Sequence, residues 1–176
     1  MNKLQIRKAS KEDIESIARI YVDGWKTTYH GLVPDNYLEK LTYEEAERKW
    51  LQFLNSENAP FIYIAVNDQG KIIGFAAGQH MDNDKFTGEL YALYLFPECR
   101  GLGTGRQLVS AAAKHFKENS IDSMLVWVME QNNSGLGFYE RLGGKEYLRR
   151  KSEFGGRVVE DVAYGWENIS VLCMEV

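Results

Sequence analysis

Apolar positions along the chain fall into blocks of different period, and the changes of period outline a fold. Residues 3–8 carry a short strand pattern. Ser10, three positions before Asp13, makes a helix-start signal ahead of IESIARIYVDGW, where Ile14, Ile17, Ala18 and Tyr21 recur at helical spacing. Pro34 suits the start of YLEKLTYEEAERKWLQFL, a helical stretch that breaks near Thr42, which can itself cap the second part. FIYIAV and KIIGFAAG, joined by the turn NDQG, read as a hairpin, and FTGELYALYLF follows as a longer strand. GRQLVSAAAKHFKEN then reads as a helix, DSMLVWVM as a buried strand and SGLGFYERLG as a short helix closed by a glycine pair. KEYLRRKSEF and RVVEDVAYGW, joined through Gly155 and Gly156, close the pattern as a second hairpin. The predicted order is β-αα-βββ-α-β-α-ββ, an α/β chain with a mixed sheet and helices on both faces.

No repeat, low-complexity tract or linker divides the pattern, so residues 1–176 are expected to form one domain with a sizeable core. With 21 basic and 25 acidic residues the net charge is −4, which argues against nucleic acid or an anionic membrane as the main partner and suits one that bears an amine. Cys99 and Cys173 lie far apart without ligand-type neighbours, and His30, His80 and His115 fall at no metal-binding or triad spacing. Neither a metal nor a disulfide framework is expected, and a reducing cytoplasm is the expected location. MNKLQIRKASKED has no apolar signal core and no run approaches membrane-spanning length. The closing ISVLCMEV is apolar enough to seek a partner surface, as in a homodimer, or to complete a sheet.

Chemistry enters at LYLFPECRGLGTGRQLV, where an apolar strand meets a proline and three glycines on alternate positions before a helix begins. A glycine-rich turn feeding a helix N-terminus offers unpaired backbone N–H groups and the positive end of the helix dipole, a natural seat for phosphate. Glycine also removes the Cβ from the approach and permits the φ > 0 conformations of an anion-binding nest. A P-loop would need Gly-Lys-Ser/Thr after a four-residue gap, and a dinucleotide fingerprint would need glycine where Arg106 stands. Both patterns fail.

RGLGTG satisfies Arg/Gln-x-x-Gly-x-Gly/Ala, and NNSGLGFYERLGGK looks like Asn-x-x-Ala-x-x-Phe-Tyr-x-x-x-Gly. Both segments, in this order and separated by one helix and one strand, resemble the Gcn5-related N-acetyltransferase (GNAT) family. The element order from residue 3 to 168 also matches that family's fold. The resemblance implies a mostly antiparallel sheet, acetyl-CoA as co-substrate, and acetyl transfer to a primary amine by direct attack on the thioester. It maps Arg100, Gly101, Leu102, Gly103, Thr104 and Gly105, with Arg106, onto the pyrophosphate loop and the first turn of its helix. Asn132 aligns with the asparagine that contacts the coenzyme A arm, and Tyr139 with the tyrosine beside the thioester sulfur. Leu93, Tyr94 and Leu95 occupy the strand whose bulge, in the family, frees backbone groups for the pantetheine arm and thioester carbonyl. Gly135 departs from the pattern by replacing alanine, a change that costs a helix interior about 1 kcal/mol.

Amide formation from a thioester needs a neutral amine, a stabilised oxyanion and a leaving thiolate that is not left bare. A lysine-like amine with pKa ~10.4 is neutral in about one molecule in a few thousand at pH 7, so a base is useful. Glu89 lies eleven positions before Arg100, the spacing at which histone-type members place their catalytic glutamate; it reads equally as a solvated strand-end residue. The N–H near Leu95 is the candidate oxyanion donor, and Tyr139 the candidate partner of the thiolate, with packing as the alternative role. Trp25 and Tyr29, four apart on one helix face, border the acceptor pocket by resemblance or belong to the core by pattern. The acceptor is then a small-molecule or peptide amine. The functional alternative is a non-catalytic acyl-CoA-binding sensor, which the presence of both Glu89 and Tyr139 disfavours.

Overall fold

Both faces of FIYIAV are apolar because both are covered. Phe61 and Ala65 point into one half of the core, Ile62 and Ile64 into the other, the alternation a strand imposes. The computed structural model describes residues 3–173. β1 (Gln5–Lys8) leads to α1 (Ile14–Thr28), α2 (Asp35–Glu39) and α3 (Tyr43–Leu54), then to β2 (Phe61–Val66), β3 (Ile72–His80) and β4 (Gly88–Leu95). α4 (Thr104–Glu118), β5 (Met124–Met129), α5 (Asn133–Arg141), β6 (Lys145–Phe154) and β7 (Arg157–Trp166) complete it. The seven strands lie in the order β1-β2-β3-β4-β5-β7-β6, and every neighbouring pair is antiparallel except β4 with β5. Ile17, Ile20 and Trp50 from α1 and α3 cover one face, while Leu108, Ala112 and Phe116 from α4 cover the other. None of the described helices is long and apolar enough to cross a membrane.

Pro34 and Thr42 each start a helical segment as the sequence pattern expects, so that α1, a five-residue α2 and α3 stand between β1 and β2 where the compact notation αα counts two. Thr42 caps α3 by accepting the Glu45 N–H at 3.2 Å. The β6–β7 hairpin turns at Gly155 and Gly156, whose φ values of +56° and +86° favour glycine at both positions. Of ISVLCMEV, residues 169–172 form a 3-10 turn that buries Ile169 and Leu172 against the α4 side of the core instead of adding a strand; the last three residues lie outside those described.

One joint fixes α1 on the sheet. The Asp13 carboxylate accepts the Ser10 N–H at 2.8 Å and both ends of the Arg7 guanidinium, at 2.8 and 3.0 Å, so a helix cap is tied to β1. The hydrogen bonds from Arg7 hold the Asp13 carboxyl below the ordinary aspartate range against the opposing effect of burial. A depressed carboxyl stabilises the fold above its unfolded pKa and loses that contribution as pH falls through its folded value. Asp13→Asn should therefore destabilise the protein by about 1–2 kcal/mol at pH 7. In denaturant titrations the difference from wild type should shrink below pH 4 and vanish once Asp13 is protonated in both states.

Candidate active site

β4 and β5 run side by side for only two residues. They pair at Gly88↔Met124 and Glu89↔Leu125, and then part. On its other edge β4 carries an extra residue: β3 pairs Gly78 with Leu90 and Ala77 with Ala92, leaving Tyr91 as a bulge. A bulge bends its strand and increases the local twist, and beyond this one β4 leaves β5. A cavity of about 680 Å³ opens there, with Leu93 and Leu95 on one wall and Val126 and Val128 on the other. The Phe96 N–H bonds Ile73 O on the β3 side, so strand alternation turns the N–H groups of Leu95 and Leu93 toward the split.

After β4 the chain makes a 3-10 turn at Pro97–Cys99 and enters α4 through the glycines. Gly101 and Gly103 take φ of +77° and +84°, and Gly103 is the N-cap residue. Gln107 N–H donates to Gly103 O. The Thr104, Gly105 and Arg106 N–H groups precede that bond and have no helical carbonyl to meet, at the positive end of the dipole. Gly105 meets a limit of space: a Cβ there would stand 3.2 Å from Leu95 and 3.3 Å from Phe138, so the helix start lies directly on β4 and α5. The Arg100 guanidinium donates to Thr28 Oγ1 at 3.3 Å, Arg106 lines the cavity, and Leu102 points outward with 74% of its surface exposed. Phosphate is the ligand such a cluster of donors suits.

Tyr139 reaches the cavity from α5 and is buried, with its ring edge-on to Phe138 at 5.1 Å. Burial, with the nearby Tyr29 adding to it, raises its hydroxyl pKa well above the ordinary tyrosine range. Tyr29, at the end of α1, also lines the cavity; burial pushes it up to about 12 while the Asn132 side chain pulls the other way. Partly buried Tyr94 is raised for the same reason. At neutral pH these phenols are donors. Asn132 caps α5 by accepting the Gly135 N–H at 3.1 Å. A Cβ on Gly135 would lie 2.8 Å from the Asn132 amide nitrogen, so the missing alanine makes room for that folded-back side chain.

The remaining candidates separate. Trp25 and Tyr29 have ring centres 4.4 Å apart, but Tyr29 borders the cavity whereas Trp25 packs against Tyr21, Tyr37 and Phe154. The buried Trp25 indole N–H has no well-aligned acceptor; the Tyr94 hydroxyl is a weak electrostatic partner. Glu89 accepts from Gln79 Nε2 at 2.8 Å and sits on the last paired rung of β4 and β5, two residues before the cavity wall begins at Tyr91. Its neighbour Leu90 packs under α4, which puts Glu89 on the opposite face, toward α1 and α3.

The family model for acetyltransferases of the GNAT family matches residues 18–144. The chain belongs to this family. It is an acetyltransferase, 36% identical over 169 residues to the uncharacterized N-acetyltransferase YuaI of Bacillus subtilis, with 95% of each chain covered. The spermidine N(1)-acetyltransferase of Thermoplasma acidophilum is 30% identical, over 81% of this chain and 88% of that one. Among solved structures, the PaiA N-acetyltransferase of Thermoplasma acidophilum in complex with coenzyme A superposes with a TM-score of 0.72 at 28% identity, covering 90% of this chain and 98% of that one.

Sequence reasoning missed the second wall of this acetyltransferase's cavity. Val126, Trp127 and Val128 come from a strand read only as buried, although a cleft in a sheet requires two lips. Arg141 was also overlooked; it follows Phe138 by three residues and so shares its helical face, and both line the cavity.

Proposed function

We propose that this acetyltransferase transfers the acetyl group of acetyl-CoA to a primary amine by direct attack of the amine on the thioester, within one domain spanning the chain. The observation that carries this reading is the continuity of the phosphate cradle with the β4–β5 split: unpaired N–H groups at Gly103–Arg106 open into an apolar slot edged by the N–H groups of Leu93 and Leu95. Pyrophosphate suits the first and an amide-bearing pantetheine arm the second. Acetyl-CoA supplies the activated acyl group. Leu95 N–H supplies the oxyanion donor, and Glu89 or a water it orders collects the amine proton. Tyr139 hydrogen-bonds the departing thiolate. Transfer of its proton from an ordinary phenol at ~10 to a thiolate whose thiol has a pKa of ~8.5 is uphill by roughly 2 kcal/mol, and burial increases that gap. The acceptor is a small-molecule or peptide amine, a class supported by the spermidine N(1)-acetyltransferase relative.

Gly103→Val introduces a β-branched side chain at a φ of +84°. It should lower acetyl-CoA affinity by tenfold or more, about 1.4 kcal/mol, in a protein whose circular dichroism is preserved. Unchanged affinity by calorimetry would remove the cradle assignment.

Tyr139→Phe keeps the ring and loses only the hydroxyl. We expect kcat to fall roughly ten- to a thousandfold with acetyl-CoA affinity unchanged. A full kcat under chemistry-limited conditions would return Tyr139 to packing.

Glu89→Gln removes basicity at constant size. At neutral pH kcat should fall by roughly 10², and the deficit should shrink toward pH 9.5 as more of the acceptor becomes neutral. A raised acceptor KM with kcat preserved would make Glu89 a positioning group instead.

A further inference from the structure

Arg106 and Arg141 form no ion pair with a carboxylate among the described residues, although acidic side chains outnumber basic ones in the chain. Both line the main cavity, and both line a second pocket of about 70 Å³ between the start of α4 and the end of α5, walled by Val109, Leu142, Val171 and Leu172. Arg141 is accommodated by a gap in its own helix. Its Nη1 lies 3.2 Å from the place a Cβ on Gly137 would occupy, so the guanidinium folds back one turn along α5 against a backbone that a side chain at 137 would crowd. Two guanidinium groups without counter-ions, facing a space the size of a single oxyanion, are matched to phosphate.

The cradle N–H groups already provide for a pyrophosphate, so an adjoining anion site calls for a further phosphate on the same ligand. We propose that Arg106 and Arg141 form a phosphomonoester subsite that holds the ribose 3′-phosphate of the acyl donor. This rests on the acetyl-CoA reading and sharpens it: the subsite selects free coenzyme A thioesters over thioesters carried on a protein-bound phosphopantetheine arm, which has no 3′-phosphate.

The test is calorimetric titration of the full chain with coenzyme A and with 3′-dephospho-coenzyme A at low salt. Wild type should bind coenzyme A at least tenfold more tightly than the dephospho form, with the preference narrowing as salt rises. Arg141→Met should weaken coenzyme A about tenfold and leave the dephospho form unchanged. Gly137→Leu, which fills the gap and displaces the guanidinium without removing its charge, should reduce the preference in the same direction. Equal wild-type affinity for the two ligands overturns the subsite and leaves the coenzyme A reading standing. An Arg141→Met variant that loses both ligands equally also overturns it, because the guanidinium then serves the pyrophosphate or the fold. Binding of neither ligand by wild type overturns the donor assignment itself.

Discussion

Beyond Glu89 and Leu125 the facing edges of β4 and β5 have no ladder between them, and a buried N–H or C=O left unmade costs about 1–3 kcal/mol. The split therefore persists only where water or a ligand takes those groups, and an arm with its own amides meets that demand better than an apolar chain could. Tyr91 is the reason the demand arises at this point. Its insertion against β3 changes the facing of β4, so that Leu90 packs under α4 while Ala92 packs toward α1 and α3. Had the ladder continued, Leu93 and Leu95 would have bonded β5 and the glycine turn would have led to a closed sheet.

The two sides of the opening differ in kind. The end at the glycine turn is made of backbone N–H groups and arginines, donors that suit an anion. The other wall holds half-buried Tyr29 and buried Tyr139, both lining the cavity and both with raised pKa values. Raised phenols are poor acids and dependable donors, so this wall favours a group that gains negative charge during reaction over one that must accept a proton outright.

Much of the architecture was legible because it depends on local signals. Gly155 and Gly156 marked the hairpin, Thr42 marked a helix break, and RGLGTG marked the turn that the structure opens onto the cavity. What was hidden depends on pairs of segments. Leu90, Tyr91 and Ala92 read as ordinary strand residues, because a bulge is a mismatch of register between two strands and leaves no mark on either alone. Gly135 read as a weak point in a helix, and only the fold-back of Asn132 gives it a reason. Trp25 and Tyr29 share a helix face, yet the helix ends at Thr28, which frees Tyr29 to turn toward the cavity while Trp25 stays in the packed cluster.

That division of labour ties the hairpin tip to the helix that carries Tyr139. Tyr29 begins the loop into α2, and the loop is held by the Arg157 guanidinium, which donates to Gly31 O at 3.4 Å, and by Phe154 packed on Trp25 and Tyr37. The tip of the β6–β7 hairpin thus helps to set where Tyr29 sits. Tyr29 in turn interacts electrostatically with Asn132, and Asn132 caps the helix that carries Tyr139. A change at the hairpin tip would reach Tyr139 through the position of Tyr29 and one part-buried cap, a contact that a lowered local dielectric strengthens when made and penalises when broken. The hairpin tip and the loop after α1 need not touch Tyr139 to influence its placement; they act on it through Tyr29 and the Asn132 cap.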